Sequence, residues 1–174
     1  MARRILGIDP GSRKTGYGLV EVRGSKVVHV DNGVILVNLK DPIPLRLRQI
    51  CEGLQDVIRE YRPEEVAIES VFLGKNVSSA LKLGQARGVA LYAASSFNLP
   101  VTEFAPTEVK RAVVGTGRAE KKQVQEMVRI LLGLPEVPQE DAADALAVAI
   151  AGGLSNPLLS QLTSTGPRRR RKNG

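Results

Sequence analysis

Ile5-Leu6-Gly7-Ile8-Asp9-Pro10-Gly11-Ser12 decides how the rest of the chain is read. Four apolar or small residues lead into one carboxylate, and Pro-Gly then turns the chain sharply. An acid at the tip of an otherwise buried strand is costly to place there, so it marks a site as readily as a turn. Thr15 to Val22 alternates as a returning strand, which makes the pair a hairpin, and Lys26–Val30 with Gly33–Val37 extends a third strand around a turn at Asp31-Asn32. That alternation puts the lone histidine, His29, on an outward side.

Downstream the period changes from two to between three and four. Leu47, Ile50, Leu54, Val57, Ile58 and Tyr61 form one apolar stripe, which predicts a helix over 44–61. Val66-Ala67-Ile68-Glu69 is a short buried strand that again closes on a carboxylate. A helix over 76–97, a strand over 99–104, and helices over 106–114, 119–132 and 139–151 follow, the last stopping at Gly152-Gly153. A meander followed by a β-α-β unit implies a mixed α/β sheet of five strands flanked by helices. The domain is expected over 1–154, with 155–174 a disordered basic tail.

Composition narrows the class. The 174 residues suit one domain, and aromatics at 3% leave an aliphatic core. No apolar run is long enough to span a bilayer, and the basic start leads into a strand, so a cytoplasmic, membrane-free protein is expected. A single cysteine, Cys51, lies among apolar helix positions and reads as packing in a reducing compartment. The net charge is +7, but the tail beyond Ser155 holds five basic residues and no acid, so the body carries only +2. Any polyanion surface on the body must be a local patch.

Four acids carry the chemistry. Asp9 and Glu69 end separate strands, and if those strands are parallel neighbours both acids project from one sheet edge. Asp141 and Asp144 are three apart near a helix start, so they share a face, and the helix N-terminus favours their charge. Phosphodiester hydrolysis needs charge neutralised on the attacking and leaving oxygens, which two divalent cations about 4 Å apart accomplish. Magnesium takes oxygen ligands and keeps some waters, so a few carboxylates suffice. Taken singly, each acid has an ordinary explanation as a turn, a solvated strand end or a helix cap. Asp144 stands out because it interrupts the small apolar run Ala142-Ala143-Asp144-Ala145-Leu146-Ala147, where a buried acid needs a partner.

Gly7-Ile8-Asp9-Pro10-Gly11-Ser12 with Thr15-Gly16-Tyr17-Gly18 resembles the RuvC family of bacterial Holliday-junction resolvases. So do Ile68-Glu69 with Val71-Phe72, the run Ser79-Ala80-Leu81-Lys82-Leu83-Gly84-Gln85-Ala86-Arg87-Gly88, and Asp141-Ala142-Ala143-Asp144-Ala145-Leu146-Ala147; the match runs in order over residues 3–151. The resemblance implies a ribonuclease H-like fold, a homodimer, and magnesium-dependent paired nicking of opposed strands in a four-way DNA junction during recombination and repair. Two Mg2+ ions per site are implied, with Mn2+ as a substitute, held by Asp9, Glu69, Asp141 and Asp144. It also implies phosphate or transition-state contacts from Lys110 and Lys121, a junction-stacking aromatic at Phe72, and the RuvA–RuvB branch-migration complex as partner. Lys75, Arg13 and Lys14 lie on loops near these motifs and are candidate phosphate contacts. Ala80, Gly84 and Gly88 recur every four residues, and with Leu81, Val89, Tyr92 and Ala93 they make the 76–97 helix the candidate dimer face. Three other readings share features with this one: a sugar-kinase-like ATP-binding domain, a nuclease acting on ribosomal RNA precursors, and a non-catalytic junction-binding module. The first needs a second phosphate loop and a larger chain, neither of which is evident; the late Asp141-Ala142-Ala143-Asp144 helix speaks against the second, and the retention of four acids against the third.

Overall fold

A computed structural model describes residues 2–71 and 74–155. Five strands form one sheet in the order β3-β2-β1-β4-β5. They are β1 (Ala2–Asp9), β2 (Lys14–Arg23), β3 (Lys26–Leu36), β4 (Glu65–Glu69) and β5 (Val101–Phe104). The first three pair antiparallel, while β1–β4 and β4–β5 are parallel. The helices are α1 (Ile43–Tyr61), α2 (Val77–Ser95), α3 (Pro106–Val114), α4 (Lys121–Leu132) and α5 (Glu140–Leu154).

The central strand is buried on both faces, which is why it reads as an unbroken apolar run. Ile5 joins Val20, Phe104, Val128, Leu146 and Ile150 on the side covered by α3, α4 and α5. Leu6 and Ile8 face Ile50, Leu54, Ile68 and Ala90 on the side covered by α1 and α2. The two sides alternate along the strand with the period of two expected of a pleat. No described helix is long and apolar enough to cross a membrane.

Two boundaries differ from expectation. No turn occurs at Asp31-Asn32; β3 runs through it, and the register shifts so that Leu19 faces Asp31 while Val20 faces His29. The extra residue is absorbed as a bulge. Its polar side chains find lateral partners: the Tyr17 hydroxyl donates to Asp31 Oδ2 at 3.2 Å, and half-buried His29 Nε2 lies 2.7 Å from Asn32 Oδ1. Likewise α5 does not stop at Gly152-Gly153 but continues to Leu154. Those glycines serve close packing: a methyl group on Gly152 would sit 3.1 Å from Ala67 Cβ. The tail expected to be disordered lies, from residue 156 on, outside the described residues.

Candidate active site

The parallel register that sets Ile8 beside Ile68 brings Asp9 and Glu69, the next residue of each strand, to the same sheet edge. The acidic helix arrives there because β1 and β2 present glycine where α5 crosses them. A methyl group on Gly7 would run into the Ala145 carbonyl, and one on Gly16 into the Asp141 carbonyl. Gly16 is itself paired with Asp9, so the first turn of α5 is seated directly beside the end of β1. Gln139 caps that turn, its Oε1 accepting from the Asp141 and Ala142 amides at 2.8 and 3.2 Å, while its Nε2 donates to Asp141 Oδ2 at 2.7 Å.

The four acids and the nearby lysines shift one another's ionisation. Burial raises the Asp9 carboxyl to about 7, with repulsion from Asp144, Asp141 and Glu69 adding to it and Lys121 opposing. Burial also raises Glu69, again with Asp144 adding, while Lys110 and Lys121 pull it down. Asp144 is raised by burial despite its hydrogen bond to Lys121. Asp141 goes the other way: burial pushes it up, but hydrogen bonds from Lys14 and Gln139 outweigh that and leave it lowered.

Two lysines stand among these carboxylates. Lys14 Nζ lies 2.7 Å from Asp141 Oδ2. Lys121 Nζ lies 3.1 Å from Asp144 Oδ2 and 2.5 Å from Glu140 Oε1. Among the described residues, no three acidic, histidine or cysteine side chains stand close enough to hold one ion as they are. The donor set nevertheless suits a hard cation: it is all oxygen and partly buried, and burial first, then repulsion from its neighbouring acids, raises the Asp9 carboxyl to about 7. A divalent ion would relieve that repulsion where the lysines relieve only part of it.

Around the acids the basic residues divide. Lys110 and Lys121 line a cleft of about 290 Å3 with Glu69 and Asp144. Arg13 and Lys14 line another, of about 650 Å3, with Arg46, Lys82 and Asp141. Lys75 is exposed and lines a further cleft with Val71 and Arg87, whose walls include none of the four acids. Phe72 lies outside the described residues. On α2, Ala93 is fully buried and Val89 packs on its own sheet, so neither belongs to the exposed face; Val77, Leu81 and Tyr92 do, at 81%, 65% and 64% exposure.

Several residues at the site have no local sequence signal. Gln139 reads as an ordinary helix lead-in, and its grip on Asp141 appears only once the cap forms. Arg46 on α1 reaches across to the Ser12 carbonyl and so props the β1–β2 turn. Arg87 on α2 contacts the end of β4.

The sheet order, with acids at the ends of two adjacent parallel strands and on the helix crossing them, defines a ribonuclease H-like resolvase fold. The family model for crossover junction endodeoxyribonuclease RuvC matches residues 5–152, and the chain belongs to that family. A RuvC from Citrifermentans bemidjiense is 62% identical over 146 residues, covering 84% of this chain and 89% of its own. One from Pelobacter propionicus is 55% identical over 166 residues, covering 95% and 94%. The solved structure of T. thermophilus RuvC in complex with Holliday junction substrate superposes with a TM-score of 0.84 at 34% identity, covering 93% of this chain and 97% of that one. The yeast mitochondrial Holliday junction resolvase shares the fold, with a TM-score of 0.64 at 15% identity over 93% of this chain and 82% of its own.

Proposed function

We propose that this chain is a structure-selective endonuclease that resolves four-way DNA junctions by paired, metal-dependent nicking of opposed strands. The observation that carries the reading is the convergence of Asp9, Glu69, Asp141 and Asp144 from three elements onto one edge of the sheet, beside Lys110 and Lys121.

Asp9, Glu69, Asp141 and Asp144 would hold magnesium, two ions per site, with manganese as a substitute. When bound, such ions supply charge neutralisation at the attacking and leaving oxygens. Gln139 orients Asp141 through the amide hydrogen bond at its Oδ2. Lys121 and Lys110 meet the phosphate as point charges from α4 and α3. Arg13 and Lys14, and more remotely Lys75, contact the DNA backbone and fix its register without reading sequence. Phe72, proposed on the family resemblance alone, stacks on an unpaired base at the crossover.

A homodimer through α2 gives the junction two equivalent sites related by a two-fold axis. Support comes from the exposed face of Val77, Leu81 and Tyr92, with Gly84 and Gly88 open between them. The RuvA–RuvB branch-migration complex is the proposed partner in recombination and repair.

The test is cleavage of a synthetic four-way junction and of the linear duplex made from its arms. Symmetric paired nicks that require magnesium, with linear duplex largely uncut, are expected. Equal cutting of duplex, or full activity in Asp9→Asn, would overturn the reading.

A further inference from the structure

Glu69 ends the strand next to the centre of the sheet, one residue past its last pairing with β1. The ladder to β5 closes with Glu69 beside Phe104, and the Ser70 amide donates to the Phe104 carbonyl at 2.7 Å. The Glu69 carbonyl is taken instead by a side chain from the covering helix: Arg87 Nη1 of α2 donates to it at 2.7 Å. The other end of the guanidinium is anchored, since Arg87 Nη2 lies 3.0 Å from Glu103 Oε2 on β5. Arg87 is only 14% exposed, so this fork is not a loose surface pair.

We propose that Arg87 is a positioning residue for the nuclease site, setting the place of Glu69 from helix α2 and braced by Glu103. The inference rests on the reading of Glu69 as a metal-holding acid. Arg87 lines neither cleft that contains the Glu69 carboxylate, so it acts through the backbone and touches none of the reacting atoms. The geometry calls for arginine: a planar fork holds two acceptors at a fixed angle, which a lysine ammonium on a flexible stem does not.

Arg87→Met, Arg87→Lys, Glu103→Gln and Glu69→Gln in the full chain test this. Single-turnover junction cleavage is followed against magnesium concentration, with junction affinity measured in EDTA and oligomeric state by sedimentation. Arg87→Met is expected to slow cleavage roughly 10- to 100-fold, as loss of an outer-shell support does at metal sites, and to raise the half-saturating magnesium. Junction affinity and oligomeric state should not change, and Arg87→Lys should recover part of the rate. Glu103→Gln should give the same signature more weakly; because Glu103 is half-exposed, it decides the matter even if Arg87→Met fails to fold. An unchanged magnesium requirement in the folded variants, or junction affinity falling in step with rate, overturns the proposal. Glu69→Gln separates the two levels: if it cuts normally the site reading itself fails, whereas if it is inactive and the Arg87 and Glu103 variants behave as wild type, only the positioning role does.

Discussion

Lys14 Nζ and Asp141 Oδ2 stand 2.7 Å apart, an ion pair across the mouth of the acidic cluster that links the β1–β2 turn to the first turn of α5. With Lys121 on Asp144, it puts a protein cation beside both Asp141 and Asp144. A bound metal must share or displace these lysines. Lys14→Met should therefore leave the cluster more negative and lower the half-saturating magnesium. The change should be several-fold at most, because solvent screens a pair whose lysine is exposed. The same variant should weaken junction binding and reduce its salt slope by about 1, the signature of one lost phosphate contact. Metal titration of cleavage and anisotropy across salt concentrations read both effects, and an unchanged or increased metal requirement would count against the arrangement.

Asp9 should trade stability for function. Its carboxyl is raised from 3.8 to about 7, by burial first and then by Asp144, Asp141 and Glu69. Between those values the folded chain binds more protons than the unfolded one, so metal-free stability falls as pH rises through that interval. Asp9→Asn removes the penalty. In EDTA the variant should melt above wild type at pH 8, with the difference closing towards pH 4, while cleavage is lost. In a chain of this size each 1 kcal/mol is worth about 2–4 °C in Tm. Magnesium should raise the wild-type Tm at pH 8 and leave the variant much less affected. A variant that melts below wild type at pH 8 in EDTA would refute the raised Asp9 carboxyl.

Asp9 and Glu69 are legible in the sequence because each closes an apolar run that only a buried strand explains, and Asp144 because it interrupts an alanine-rich helix. Those signals are local, and they survive without knowledge of the fold. Arg87 and Gln139 carry no comparable signal. The first acts on a carbonyl 18 residues away, and the second acts through a cap that exists only once α5 forms. Asp31-Asn32 misleads for a related reason. Its composition is that of a turn, but Tyr17 and His29 satisfy its side chains from within the sheet, so the strand has no cause to break. Gly152 misleads similarly: it reads as a helix stop, yet its missing side chain is what lets α5 close on Ala67.

The exposed face of α2 gives the assembly a direct test. Leu81 and Tyr92 are 65% and 64% exposed, so charges there should leave the fold of the single chain intact. Leu81→Glu with Tyr92→Glu should sediment as monomer at concentrations where wild type is dimeric. Its circular dichroism should be unchanged and paired nicking should be lost. A doubly charged variant that still sediments with wild type would move the interface elsewhere.

Gly16 makes the last link from backbone to chemistry testable. It lies opposite Asp9 in the β1–β2 ladder and directly under the Asp141 carbonyl, so the first turn of α5 can rest there only while no side chain intervenes. Gly16→Ala drives a methyl group into the backbone of Asp141, which cannot rotate away as a side chain would. The helix must lift, at a cost of about 1–3 kcal/mol for overpacking of this kind. The lift also carries Asp141 and Asp144 away from Asp9 and Glu69. A misplacement of about 1 Å in a reacting constellation costs on the order of 10²-fold in rate. Cleavage measured well below the melting transition should therefore fall far more than the lost stability accounts for, with a raised magnesium requirement. Full activity at an unchanged Tm would mean that α5 does not rest on β2 at this point, and the route by which the helix acids reach the strand acids would have to be drawn differently.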